Sequence, residues 1–179
     1  MNKSMLRFAV AAALGTVGAL SAFGATSTGT TQLSVSVAAE ASLTINTATT
    51  NLTSGVTTFA DFVGTTNFTY KIRTTQTTGS GSVKVQITSD FSPTGGPSVA
   101  SPATGDALTY TCGPSAPGTA CSGSVTASTS AGTSVLDFGA DARSAKAGNS
   151  GSVTWTLPDD PQYQTGNYNA TATFTLAAL

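Results

Sequence analysis

An alternation of apolar residues with threonine or serine recurs along this chain, and it limits the fold more than any other feature. Phe68, Tyr70 and Ile72 alternate with Thr69 and Lys71, and Val83, Val85 and Ile87 with Lys84 and Gln86. Leu108, Tyr110 and Cys112 alternate with Thr109 and Thr111, and Val153, Trp155 and Leu157 with Thr154 and Thr156. The longest set is Tyr168, Ala170, Ala172, Phe174 and Leu176, with Thr171, Thr173 and Thr175 between its later members. Shorter sets stand at Leu33, Val35 and Val37 and at Leu43 and Ile45. A period of two is that of a β-strand, whose successive side chains leave opposite faces. Thr, Val, Ile, Tyr and Phe also suit a pleated, half-buried surface. One apolar face and one Thr-covered face means antiparallel sheets with one wet side. Two such sheets closed on their apolar faces make a sandwich. The turn signals Thr78–Gly81, Gly148–Gly151 and Pro158–Pro161 separate the runs. The fold expectation is therefore all-β, a single antiparallel β-sandwich of immunoglobulin-like kind. Residues 51–64 and 122–146 alternate poorly, and the Pro-, Gly- and Ser-rich stretch Ser92–Asp106 reads as the longest loop.

The first 24 residues have a different character. Lys3 and Arg7 precede an apolar run from Phe8 to Phe23, and Ala22-Phe23-Gly24 places small residues at the exit. Basic, apolar and small-residue regions in that order are those of a cleaved secretory signal peptide. The run falls short of the ~20 residues of a spanning helix. The expectation is a signal peptide over 1–24 and one β-sandwich domain over 25–179, with no membrane span after cleavage. The protein would be secreted or held at the cell surface, with the periplasm as the other compartment.

Composition narrows the chemistry. Charged residues are 8% of the chain and histidine is absent. Residues 25–179 hold 5 basic side chains against 8 acidic ones. A nucleic-acid partner is excluded, because nothing supplies the basic surplus that phosphates require. Without histidine the commonest general base and metal ligand are missing. No Gly-x-Ser-x-Gly elbow and no calcium loop with acids at alternate positions is present. The pairs Asp137/Asp141 and Asp159/Asp160 are the nearest approach to an oxygen-ligand set, and Pro158-Asp159-Asp160-Pro161 is more simply a turn. The reading is a protein that is not an enzyme, with no catalytic residue, metal or cofactor. Cys112 and Cys121 are the two cysteines, and in an exported chain they are expected to form a disulfide clamping the strand ends of a hairpin. Trp155 sits in phase with core residues, which leaves Tyr163 as the better surface aromatic.

The two ends carry a family pattern. After the leader comes Thr31-Gln32-Leu33-Ser34-Val35-Ser36-Val37-Ala38-Ala39, then Glu40-Ala41-Ser42-Leu43-Thr44-Ile45-Asn46. The chain closes with Thr165-Gly166-Asn167-Tyr168-Asn169-Ala170-Thr171-Ala172-Thr173-Phe174-Thr175-Leu176. These segments resemble the spore coat protein U family and the related chaperone–usher pilin subunits. Ser42 stands where that family commonly has an early cysteine, and Ala178 where pilins have a penultimate tyrosine. The resemblance implies a pilin-like, incomplete sandwich in an exported structural subunit of a pilus-like or coat-like assembly. Leu33, Val35 and Val37 would form a donated strand. Gly166, Tyr168, Ala170, Ala172, Phe174 and Leu176 would form the C-terminal strand that accepts it. The partners implied are further copies of the chain and a secretion and assembly machinery. The alternative reading is a secreted monomeric binding module for carbohydrate.

Overall fold

The computed structural model describes residues 26–99, 106–114 and 116–179; the leader expected over 1–24 lies outside the described residues. The chain divides into two units, Met1–Val35 and Ser36–Leu179. In the first, residues 26–35 belong to no strand. The second is a β-sandwich, as the alternation predicts, and no helix occurs among the described residues.

Among the described residues ten strands build it: β1 (Glu40–Ile45), β2 (Thr53–Ser54), β3 (Phe62–Arg73), β4 (Gly81–Ser92), β5 (Thr109–Cys112), β6 (Thr119–Ala120), β7 (Val125–Thr126), β8 (Thr133–Phe138), β9 (Asn149–Leu157) and β10 (Asn169–Ala178). One sheet has the order β1-β3-β9-β5-β7, with β2 also on β3; the other has the order β10-β4-β8-β6. Every pairing is antiparallel. The alternating residues land where the period-of-two argument puts them. Phe68, Tyr70, Val83, Val85, Val135 and Val153 are fully buried between the sheets, together with Tyr110 and Trp155. Their Thr and Ser neighbours face outward, where Thr65–Thr154 and Thr88–Thr173 hydroxyls pair across strands. Buried polar groups of the core strands find partners. Trp155 Nε1–H donates to Thr66 Oγ1 at 2.9 Å, and the Tyr70 hydroxyl donates to the Ala116 carbonyl at 2.7 Å. The weakly patterned stretch 51–64 becomes β2, a loop and the start of β3, while 122–146 supplies β7 and β8.

The Leu33–Val37 segment belongs to no strand of its own chain. Two expectations are corrected. The C-terminal strand begins at Asn169, so Gly166 and Tyr168 lie in the preceding loop, where the Tyr168 hydroxyl donates to the Gln164 carbonyl at 2.7 Å. Cys112 and Cys121 are bonded, with Cα atoms 5.5 Å apart. The bond, however, does not clamp a hairpin. β5 belongs to one sheet and β6 to the other, so the link crosses between layers. Replacing both cysteines by alanine frees a ring of about ten residues in the unfolded chain and is expected to cost ~2.5–3 kcal/mol. A denaturant titration of the variant checks this, and an unchanged midpoint would show that the packed layers need no clamp.

Candidate functional site

Along one side the sandwich ends in two edge strands. β1 ends one sheet and β10 ends the other, and the two edge strands lie next to each other across the layers. Pairing registers identify which of their side chains point inward. Leu43 and Ile45 stand opposite Tyr70 and Phe68, and Ala41 opposite Ile72, all three partners being buried. Ala172, Phe174 and Leu176 stand opposite Ile87, Val85 and Val83, which are buried as well. Directly opposed residues share a face of the sheet. These six apolar side chains therefore face the interior, yet none is buried. Ala41 and Ala172 are exposed, Leu43, Phe174 and Leu176 are half-buried, and Ile45 is 38% exposed. Phe174 packs one side of its ring on Phe68, with centroids 5.7 Å apart. The remaining exposure of these six side chains is on the side away from the core strands, where no further strand lies among the described residues.

The outer edge of β10 adds a backbone demand. β10 pairs with β4 on one side only, so its other row of N–H and C=O groups has no strand partner among the described residues. Such an edge is a template for another strand. A register shift near Thr171 bends the start of β10, whereas Ala172–Ala178 runs regularly against β4. Of the expected acceptor residues, Ala170, Ala172, Phe174 and Leu176 thus lie on this edge strand. The expected donor residues Leu33, Val35 and Val37 are 91%, 86% and 62% exposed.

At the far end of the sandwich, Asp106, Asp159, Asp160 and Tyr163 gather. Burial, the Asp160 charge and a hydrogen bond with it hold the Asp106 carboxyl above the ordinary carboxylate range. Burial and the charges of Asp106, Asp160 and Asp159 push the Tyr163 phenol up in turn. Tyr163 is half-buried, and its hydroxyl is enclosed with no hydrogen-bond partner among the described residues. Trp155 is buried, as its phase predicts. Among the described residues no group of three or more His, Cys, Asp or Glu side chains is placed to hold a metal. Asp137 accepts from Ser134 Oγ and Asp141 pairs with Arg143. Asp90 is spent on structure, accepting from the Val99 amide and the Ser98 hydroxyl at 2.7 Å each.

The uncovered inner faces of Ala41 and Ile45 were not legible as a site. Their sequence signal, short apolar alternation, is the same as that of a covered strand. Comparison of the chain with family models, curated proteins and solved structures found no match.

Proposed function

We propose that this protein is an exported, non-enzymatic structural subunit that polymerises by strand donation, the segment around Leu33, Val35 and Val37 of one copy completing the open side of another. One observation carries the reading. Two edge strands leave inward-facing apolar side chains partly exposed, while the same chain holds an alternating apolar segment whose side chains Leu33, Val35 and Val37 are exposed. An added strand meets both needs. Its backbone satisfies the free edge of β10, and its alternate side chains cover Ala172, Phe174 and Ile45. The disulfide and the lack of any long apolar helix among the described residues are compatible with export.

The test is deletion of residues 25–38. The full chain is expected to sediment as polymers and the truncated chain as a monomer. A synthetic peptide of residues 26–38 is expected to bind the truncated chain. A full-length chain that stays monomeric at high concentration, with residues 26–38 protected from protease, would overturn the reading.

A further inference from the structure

The charges of residues 26–179 are segregated between the two ends of the sandwich. Thr74–Ser80 joins β3 to β4 at one end, which also holds the start of β1 and the finish of β10. All five basic side chains lie toward this end: Lys71, Arg73, Lys84, Arg143 and Lys146. Glu40, Asp137 and Asp141 accompany them, leaving a net charge of +2 from the side chains. Ion pairs tie Arg73 to Glu40 and Arg143 to Asp141, so Lys71, Lys84 and Lys146 supply the surplus. The opposite end carries Asp61, Asp90, Asp106, Asp159 and Asp160 and no basic residue, a net −5. Phe62 stands opposite Leu157, and the Gln164 amide donates to the Gly95 carbonyl, so these five acids share one end.

The acidic end also exposes apolar surface. The loop between β2 and β3 presents Val56, fully exposed, and Phe59, 56% exposed at a φ of 53°. The basic end has a cavity of about 380 Å³ beside β1, lined in part by Ala41, Ile72, Lys71, Arg143 and Lys146. Exposed apolar side chains rimmed by charge are the anatomy of an interface.

Topology says which ends meet. β10 runs toward the basic end, and the donated segment joins its own β1 at the basic end through Ala38-Ala39. A segment inserted antiparallel to β10 leaves the recipient at its acidic end. Two residues later it enters the basic end of the donor. A parallel insertion brings two basic ends together. We propose that the acidic end of one copy seats on the basic end of the next, with Phe59 and Val56 of the recipient against the cavity beside β1 of the donor. This rests on the strand-donation reading and adds the contact that fixes its direction. The interface is heterologous, so it propagates as an open filament instead of closing a dimer.

Opposed charges at such ends raise association rates by roughly 10–1,000-fold at low salt, and salt screens them. The experiment follows assembly of the purified full chain by light scattering across ionic strength. Assembly of the natural chain is expected to slow by at least about tenfold as salt rises. D61K/D159K is expected to assemble at least about tenfold more slowly at low salt and to lose its salt dependence. Mere relief of net negative charge gives the opposite result, because this change brings the chain closer to neutrality. F59N, whose asparagine tolerates the positive φ, is expected to raise the concentration needed for assembly. Normal assembly of either variant, or a salt-independent natural chain, overturns the proposal. The peptide of residues 26–38 has no charged side chain, and its binding to the truncated chain is expected to ignore salt. If it binds while the variants assemble normally, strand donation stands and the end-to-end contact falls. If it does not bind, both fall.

Discussion

Replacing Leu33, Val35 and Val37 together by serine is expected to leave the thermal melt of the sandwich unchanged and to abolish assembly. The two halves of that outcome come from the same observation. All three side chains are largely in solvent, so their removal takes little apolar surface out of the folded monomer. In a donated strand they are buried, and each is then worth roughly 1.5–3 kcal/mol. The three together amount to about 5–9 kcal/mol, or roughly three to six orders of magnitude in the association constant. The backbone hydrogen bonds to β10 survive the substitutions, so what remains is a weak, unselective strand. Circular dichroism melting checks the first half and sedimentation velocity the second. A melt lowered by many degrees would mean that these residues stabilise their own domain. Persistent polymers would mean that the open side of the sandwich is filled by something else.

Much of the fold was legible because the core strands are buried on one face only. Phe68, Tyr70 and Ile72, or Val153, Trp155 and Leu157, can be read off at a period of two, since every second residue meets water. The short strands β2, β6 and β7 were not, because two residues hold no period. The disulfide was legible as a bond but not as a link between layers. Sequence separation says that Cys112 and Cys121 can meet, and sheet membership is decided by β9 and β8, far along the chain. The N-terminal segment marks the limit of pattern reading. Alternation records that a side chain wants cover on one face, whether or not its own chain provides it. Leu33–Val37 and Phe68–Ile72 carry the same signal, and one is exposed while the other is buried. The segregation of charge was likewise invisible. Asp61, Asp106 and Asp159 are scattered in sequence, and only the antiparallel pairing of β9 with β3 and β5 brings them to one end.

The acceptor edge is held from inside by Phe68, and the second large effect is expected there. Phe68 is fully buried, with its ring 5.7 Å from that of Phe174 on β10 and 6.2 Å from that of Tyr70. Its partner directly across β9 is Gly151. A Cβ on Gly151 would lie 2.4 Å from Cζ of the Phe68 ring, so glycine here makes room for the aromatic. Phe68→Ala is expected to cost about 3–5 kcal/mol, as large-to-small core changes do. That is a large share of the ~5–15 kcal/mol that holds a domain of this size folded. Gly151→Ala is expected to cost about 1–3 kcal/mol by overpacking. In the double variant the added methyl occupies space that the ring has left, so the combined loss is expected to fall below the sum of the two. Urea titrations of the four proteins measure this coupling. Additivity within about 0.5 kcal/mol would show that the ring and the glycine do not constrain each other. Because Phe68 also supports Phe174, the alanine variant is expected to bind the peptide of residues 26–38 more weakly in the truncated chain. Gly151→Ala, which displaces the same ring, is expected to weaken that binding as well. An acceptor edge that bound equally well in both would be one whose shape does not depend on the core beneath it.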